Sequence, residues 1–366
     1  MNNSTLAGQI KSQQGDYSIH VGEGILDKIY SLSKNEINNS RIFLISDMKI
    51  FSGLGTNIIK VFESNLIKVE SLSIELDESK KNLSTVDKIY GWLHEKGAER
   101  SDIIFSLGGG VTTDLIGYVA ATWLRGIKLI HIPTTLASMV DASIGGKTAV
   151  NLTQGKNLIG AFHQPNLIVM DTKSLSTLNQ KEMNSGWAEA IKHSLLFDNN
   201  LFEKFKNHSS ELLNKGEPFF TDIIKRSVEI KAEIVSKDEF ETGTDRIKLN
   251  FGHTIGHALE TATSYNSLLH GEAVSIGMVV ASKISSALSY SDDNLTNEIQ
   301  NILDEYNLPT RIPKNIDLDD LYTIAKSDKK VRAGKINWVL LKKIGESVIV
   351  NDVPKEIVMD SLRSSQ

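Results

Sequence analysis

The chain has 366 residues, a formal net charge of -5, 23% charged residues and no cysteine. That length supports a large core and favours two domains over one, while the missing cysteines exclude disulfides and thiolate metal ligands. No Lys/Arg stripe marks a nucleic-acid surface and no run reaches the roughly 18 uncharged apolar residues of a membrane span. Met1-Asn-Asn-Ser-Thr lacks the basic flank and apolar core of a signal peptide, so a cytoplasmic protein without nucleic-acid or membrane partners is expected.

In the first half, β-rich runs alternate with helical patterns. Strands are predicted over 41–46, 102–107, 128–132 and 167–170, with helices over 83–96 and 114–124. Such alternation predicts an α/β domain whose parallel sheet is covered on both faces. Ser106-Leu-Gly108-Gly109-Gly110-Val-Thr-Thr-Asp114 leaves one strand and opens a helix. Glycines there let backbone approach a pyrophosphate, and the helix N-terminus favours its charge. The spacing is not G-x-G-x-x-G, so a plain tight turn is the alternative, and Asp114 can simply complement the helix dipole.

Pro133-Thr134-Thr135 presents two hydroxyls at the end of the next strand, where ligands of open α/β sheets gather. Asp141-Ala-Ser-Ile-Gly145-Gly146-Lys147 and Gly155-Lys156-Asn157-Leu-Ile-Gly160 follow and read as loops. They miss the P-loop frame because Asp141 stands where glycine is required. A lysine, an asparagine and several glycines still suit an anionic, hydroxylated small molecule.

Past about residue 178 the pattern turns helical, over 181–205, 219–235, 253–265 and 272–288, with 335–341 and 347–350 as a small hairpin. Domains of 1–178 and 179–366 are expected. Neither Gly216-Glu-Pro218 nor Gly243-Thr-Asp245 reads as a domain linker.

This half carries the metal-binding residue types. His253 and His257 lie one helical turn apart, His270-Gly271-Glu272 follows, and Glu189 precedes them on another helix. Nitrogen and oxygen ligands of this kind suit a zinc-type ion in a three-ligand site with an open position. Thr254 stands where a zincin has its general-base glutamate, which disfavours peptide hydrolysis. Spacing alone leaves Glu189, Glu260 and Glu272 open as the carboxylate. Lys192 is either the ion-pair partner of Glu189 or an anion contact. Together with Lys147, Lys156, Lys231, Arg246 and Asp328-Lys329-Lys330 it would make a positive cleft for a substrate bearing phosphate and carboxylate.

The chain resembles the 3-dehydroquinate synthases from about Asp47 to Gly345. The matching runs are Gly108-Gly-Gly-Val, Asp114-Leu-Ile-Gly117, Arg125-Gly126, Pro133-Thr-Thr-Leu136, Asp141-x-Ser143-x-Gly-Gly-Lys147-x-x-x-Asn151 and Gly155-Lys-Asn157. They continue in Ala188-Glu-x-Ile-Lys192, Arg246-x-x-Leu-Asn250-x-Gly-His-Thr254-x-x-His257, His270-Gly-Glu272 and Asp328-Lys-Lys330. The resemblance implies a Rossmann-like NAD-binding α/β domain followed by a mainly α-helical metal- and substrate-binding domain. It implies a homodimeric lyase of the shikimate pathway, dependent on NAD and on Zn or Co. That enzyme converts 3-deoxy-D-arabino-heptulosonate 7-phosphate to 3-dehydroquinate and phosphate by transient oxidation, elimination, re-reduction and intramolecular aldol closure.

By the same resemblance Glu189, His253 and His270 are the metal ligands. Asp141, Lys147, Asn157, Lys192 and His257 are catalytic, and Arg125, Lys231, Arg246, Asn250 and Lys330 contact substrate. Asp47, Glu78, Lys81, Gly110, Val111, Thr112, Thr113, Asp114, Thr134, Thr135, Lys147, Lys156, Ser174, Leu175, Ser176 and Thr177 contact the cofactor. The chain departs from the family in lacking glycine before Glu78 and in carrying Ala142 where serine is frequent. An aminodehydroquinate synthase or another sugar-phosphate cyclase is the alternative, with a metal-dependent polyol dehydrogenase behind it.

Overall fold

The computed structural model describes residues 5–263, 267–327, 331–332 and 335–366, so Asp328, Lys329 and Lys330 lie outside the described residues. The chain forms two compact units, Met1–Leu178 with Ile224–Phe240, and Asn179–Ile223 with Glu241–Gln366. The single boundary expected from sequence therefore fails for residues 224–240. Within the first unit those residues hold the N-terminal hairpin: Lys11 donates its N–H to Ser236 Oγ at 3.4 Å and Gln13 to Glu239 Oε2 at 2.9 Å. Helical periodicity reports the helix Phe219–Lys237 but not which body its buried face joins.

The first unit is built on a seven-stranded sheet in the order β1-β2-β9-β6-β5-β3-β4. Its strands are β1 Leu6–Ile10, β2 Tyr17–Gly22, β3 Ile42–Asp47, β4 Val69–Ile74, β5 Ile103–Gly108, β6 Lys128–Pro133 and β9 Leu167–Asp171. All neighbours pair in parallel except β1 with β2. Alternate residues enter opposite cores: Leu44, Phe105 and Ile130 pack on one face, Phe43, Ile104 and Leu129 on the other. Burial on both faces explains why these central strands read as continuous apolar runs.

Strand order reverses between β3 and β5, so the chain end of β3 at Asp47 and the turn after β5 at Gly108 flank a topological switch point. The two segments read as loops from sequence instead pair as an antiparallel hairpin, β7 Lys147–Leu152 with β8 Gly155–Phe162. Lysine, asparagine and glycine hide the alternation there, because much of β8 is only half-buried.

The second unit is helical, with the expected hairpin present as Lys335–Lys343 paired to Glu346–Asn351. Helices Gln180–Phe197, His253–Ala262 and His270–Ala287 carry the histidine and glutamate residues singled out above. Trp187 anchors the first of them, meeting Phe205, Phe220 and Tyr306 edge to face at 5.7, 5.8 and 5.7 Å. No helix among the described residues is long and apolar enough to cross a membrane.

Candidate functional site

In the helical unit, backbone geometry sets three ligand-type side chains against one another. Gly252 caps the helix His253–Ala262 at φ 79°, and a Cβ there would lie 2.7 Å from the Val274 carbonyl oxygen. Gly271 presses on the Glu189 helix: its N–H reaches Ser185 Oγ at 3.0 Å, and a Cβ would collide with the Ser185 carbonyl. Ser185 lies one helical turn before Glu189, so this close approach brings His270 to that carboxylate.

Nε2 of His253 and Nε2 of His270 lie 3.6 and 3.5 Å from Glu189 Oε1. Both other ring nitrogens are engaged. His253 Nδ1 donates to the Phe251 carbonyl at 3.2 Å, and His270 Nδ1 meets Glu260 Oε2 at 3.1 Å. Glu189 is fully buried, and its Oε2 accepts from the buried Lys192 ammonium. Burial works to lower the His270 pKa, but the Glu260 and Glu189 carboxylates outweigh it and push it up to about 10. His257 stands beside this group, its ring 5.3 Å from that of His253 and 6.0 Å from that of His270.

One donor atom from each of Glu189, His253 and His270 falls within 4.8 Å of the others, as do donors of His257, Glu260 and His270. Glu272 is spent elsewhere, accepting the Leu269 N–H at 2.7 Å and pairing with Lys181 at 3.3 Å. The open choice among three carboxylates thus narrows to two. Arg246 is buried in the same unit, and Asn250 donates to Glu241 Oε1 at 3.2 Å.

In the α/β unit the expected cofactor residues gather at the carboxyl ends of the parallel strands. Gly110, Val111, Thr112, Thr113 and Asp114 form the first turn of the helix after β5. Thr134 follows β6 and is tied to that turn by its N–H on the Gly108 carbonyl at 3.0 Å. Thr135 Oγ1 donates to Ser138 Oγ at 2.9 Å. Ser174, Leu175, Ser176 and Thr177 belong to a 3-10 turn after β9. Asp47 ends β3 and caps the Lys49 N–H at 3.0 Å.

Charged groups crowd the same edge. Lys81, only 3% exposed, places its ammonium 2.5 Å from Asp114 Oδ2 and 2.6 Å from Asn157 Oδ1. Burial pushes the Asp114 carboxyl up, against the pull of Lys81. Lys156 lies 3.7 Å from Glu78, Lys231 bonds Asp141 at 2.5 Å, and Lys147 is exposed at the start of β7. Ala142 faces Gly110, where a glycine Cβ would sit 3.4 Å from its own. Arg125 is not brought to this group: it precedes β6, at the opposite end of the strands from Gly108 and Thr134.

A parallel sheet with a glycine turn at its switch point, joined in one chain to a helical unit with a His/His/Glu cluster, is the architecture of sugar-phosphate cyclases. The fold is similar to 2-epi-5-epi-valiolone synthase from Streptomyces hygroscopicus subsp. jinggangensis 5008, solved with NAD+ and Zn2+ bound (TM-score 0.88, 26% identity, 97% of this chain and 98% of that one). It is also similar to a 2-deoxy-scyllo-inosose synthase complexed with carbaglucose-6-phosphate, NAD+ and Co2+ (TM-score 0.86, 26% identity, 98% and 99% covered). Residues 71–185 match the N-terminal part of 3-dehydroquinate synthase and residues 186–331 its C-terminal part. The 3-dehydroquinate synthase of Prochlorococcus marinus (strain MIT 9312) is 42% identical over 92% of this chain and 93% of its own. The chain belongs to the 3-dehydroquinate synthase family.

Proposed function

We propose that the protein is a 3-dehydroquinate synthase, converting 3-deoxy-D-arabino-heptulosonate 7-phosphate to 3-dehydroquinate and phosphate with NAD and Zn or Co. The observation that carries this reading is the convergence of His253 Nε2 and His270 Nε2 on Glu189 Oε1 in a chain of this family. Two imidazoles and a carboxylate, each histidine fixed through its other nitrogen, suit a catalytic ion that keeps one position open. The NAD and the Zn or Co recorded with the similar cyclases support the same choice of groups.

When bound, NAD would supply a reversible hydride acceptor and the ion positive charge beside the oxygen of the carbinol being oxidised. The protein side of the chemistry then falls to named residues. Glu189, His253 and His270 would hold the ion, and the Lys192 ammonium bonds the Glu189 carboxylate. Asp47, Glu78, Lys81, Lys156, the 110–114 turn, Thr134, Thr135 and the 174–177 turn bind the dinucleotide. Arg246 offers a planar fork to the substrate carboxylate, and Lys147, Lys231, Asn250 and Lys330 complete the substrate contacts; Arg125, at the opposite end of the strands, is not among them. Asp141, Asn157 and His257 orient the reacting hydroxyls. The same reading makes the protein a cytoplasmic homodimer, and a monomer by light scattering would remove that part.

Phosphate release from the heptulosonate phosphate, followed together with NADH absorbance in metal-stripped protein, tests the assignment. Release that needs both NAD and Zn, with no net NADH, is the expected result. Stoichiometric NADH without phosphate makes the protein a dehydrogenase. Release only from an amino-analogue or another sugar phosphate moves the substrate within the cyclases.

A further inference from the structure

Asn157 holds its backbone in the left-handed region, at φ 54°. Asparagine enters that region more readily than most side chains, and here a neighbouring side chain holds the backbone there. That neighbour is Asn151, its Oδ1 accepting the Asn157 N–H at 2.9 Å. On its other side Asn151 is fixed to the turn that carries Glu78 and Lys81. Its N–H donates to the Lys81 carbonyl at 2.8 Å, and its Nδ2 donates to Glu78 Oε1 at 2.7 Å. The same turn reaches the far end of Asn157, because Lys81 donates to Asn157 Oδ1 at 2.6 Å.

Asn157 is therefore held on its backbone by Asn151 and on its amide by Lys81. A dinucleotide that engages the Lys81 ammonium would draw it from Asn157 Oδ1. The Asn151 bond does not depend on Lys81 Nζ, so the backbone set survives the exchange. We infer that Asn151 is a positioning residue that couples the 78–81 turn to Asn157 and keeps that side chain aimed when Lys81 turns to the dinucleotide. This depends on the reading above that Glu78 and Lys81 meet the dinucleotide and Asn157 meets substrate.

The test uses the full chain with NAD and Zn. Asn151→Ala is expected to lower kcat by ~10–100-fold while the substrate KM and zinc content stay near the parent values, because a misplaced group costs rate more than binding. Asn151→Asp restores the acceptor for the Asn157 N–H but sets a carboxylate against Glu78. It should recover about tenfold of the lost kcat and still bind NAD about fivefold more weakly than the parent. In an Asn157→Ala background, Asn151→Ala should cost no further kcat, since the two act as one unit.

Parent-like kcat in Asn151→Ala, independent multiplication of the two losses, or equal losses in the Ala and Asp variants would each overturn the coupling. If Asn151→Ala does not fold, the Asp variant decides alone: a kcat loss as large as that of Asn157→Ala refutes the inference. Failure of the parent to bind NAD or release phosphate would instead strike the functional reading.

Discussion

Glu260 touches His270 at the nitrogen that faces away from Glu189. A carboxylate in that position selects the tautomer and aims the ring, which is worth ~10–100-fold in metal affinity at histidine sites. Glu260→Ala is therefore expected to weaken zinc binding by about that factor, read by competition with a chromogenic chelator. Affinity within about twofold of the parent would show that the contact does not matter. If Glu260→Ala abolishes binding while Glu189→Gln keeps it, the ion belongs to His257, Glu260 and His270. Residue types and helical spacing put all of these side chains on the candidate roll. They do not tell a ligand from a ligand's support, or either from the N-terminal cap that Glu272 forms, because that sorting depends on which helices touch.

At the scale of elements, β6 runs through the sheet interior with a buried histidine. Burial, aided by His163, lowers the His131 pKa to about 3, and His131 Nδ1 has no hydrogen-bond partner among the described residues. Above the unfolded value near 6.5 neither state carries the proton. Below it the unfolded chain takes up a proton that the folded chain refuses, so stability falls as pH drops from about 6.5 to about 3, by about 1.4 kcal/mol per unit. Urea unfolding at pH 7 and 5.5 should show this loss, and His131→Gln should reduce it; an unchanged slope in the variant would assign the acid sensitivity elsewhere. His163, whose pKa is also lowered by burial, keeps part of the slope in place.

The contact at Gly271 gives a second test at this scale. Gly271→Ala must push its helix off Ser185, at a cost of about 1–3 kcal/mol, and carry His270 away from Glu189. A lower thermal midpoint together with weaker zinc binding is expected, and parent values for both would mean that the two helices can slide apart freely. Among the strands, β3, β5, β6 and β9 are legible in sequence because both faces are buried. β1 and β4 are short or half-exposed edge strands, and the β7–β8 hairpin carries its polar motif on the strands themselves. The motif residues are found by composition there, while their pairing is not.

For the molecule as a whole, the division of the chain departs most from its linear reading. Residues 224–240 belong to the sheet-bearing unit although the expected boundary lies at 178. They supply the partners of Lys11, Gln13, Gln164 and Asp141. A fragment ending at residue 178 should therefore lose cooperative unfolding, whereas the full chain keeps it. A sharp, parent-like urea transition in the fragment would show that residues 224–240 are dispensable. The amphipathic pattern of 219–235 is plain in the sequence, but hydrophobic periodicity carries no address. The same interleaving has a consequence for synthesis: the sheet-bearing unit cannot close on the ribosome until residue 240 has emerged, after residues 179–223 have already been exposed. The nascent protein thus carries an unfinished first body alongside a started second one, an interval in which a holding chaperone would have something to hold.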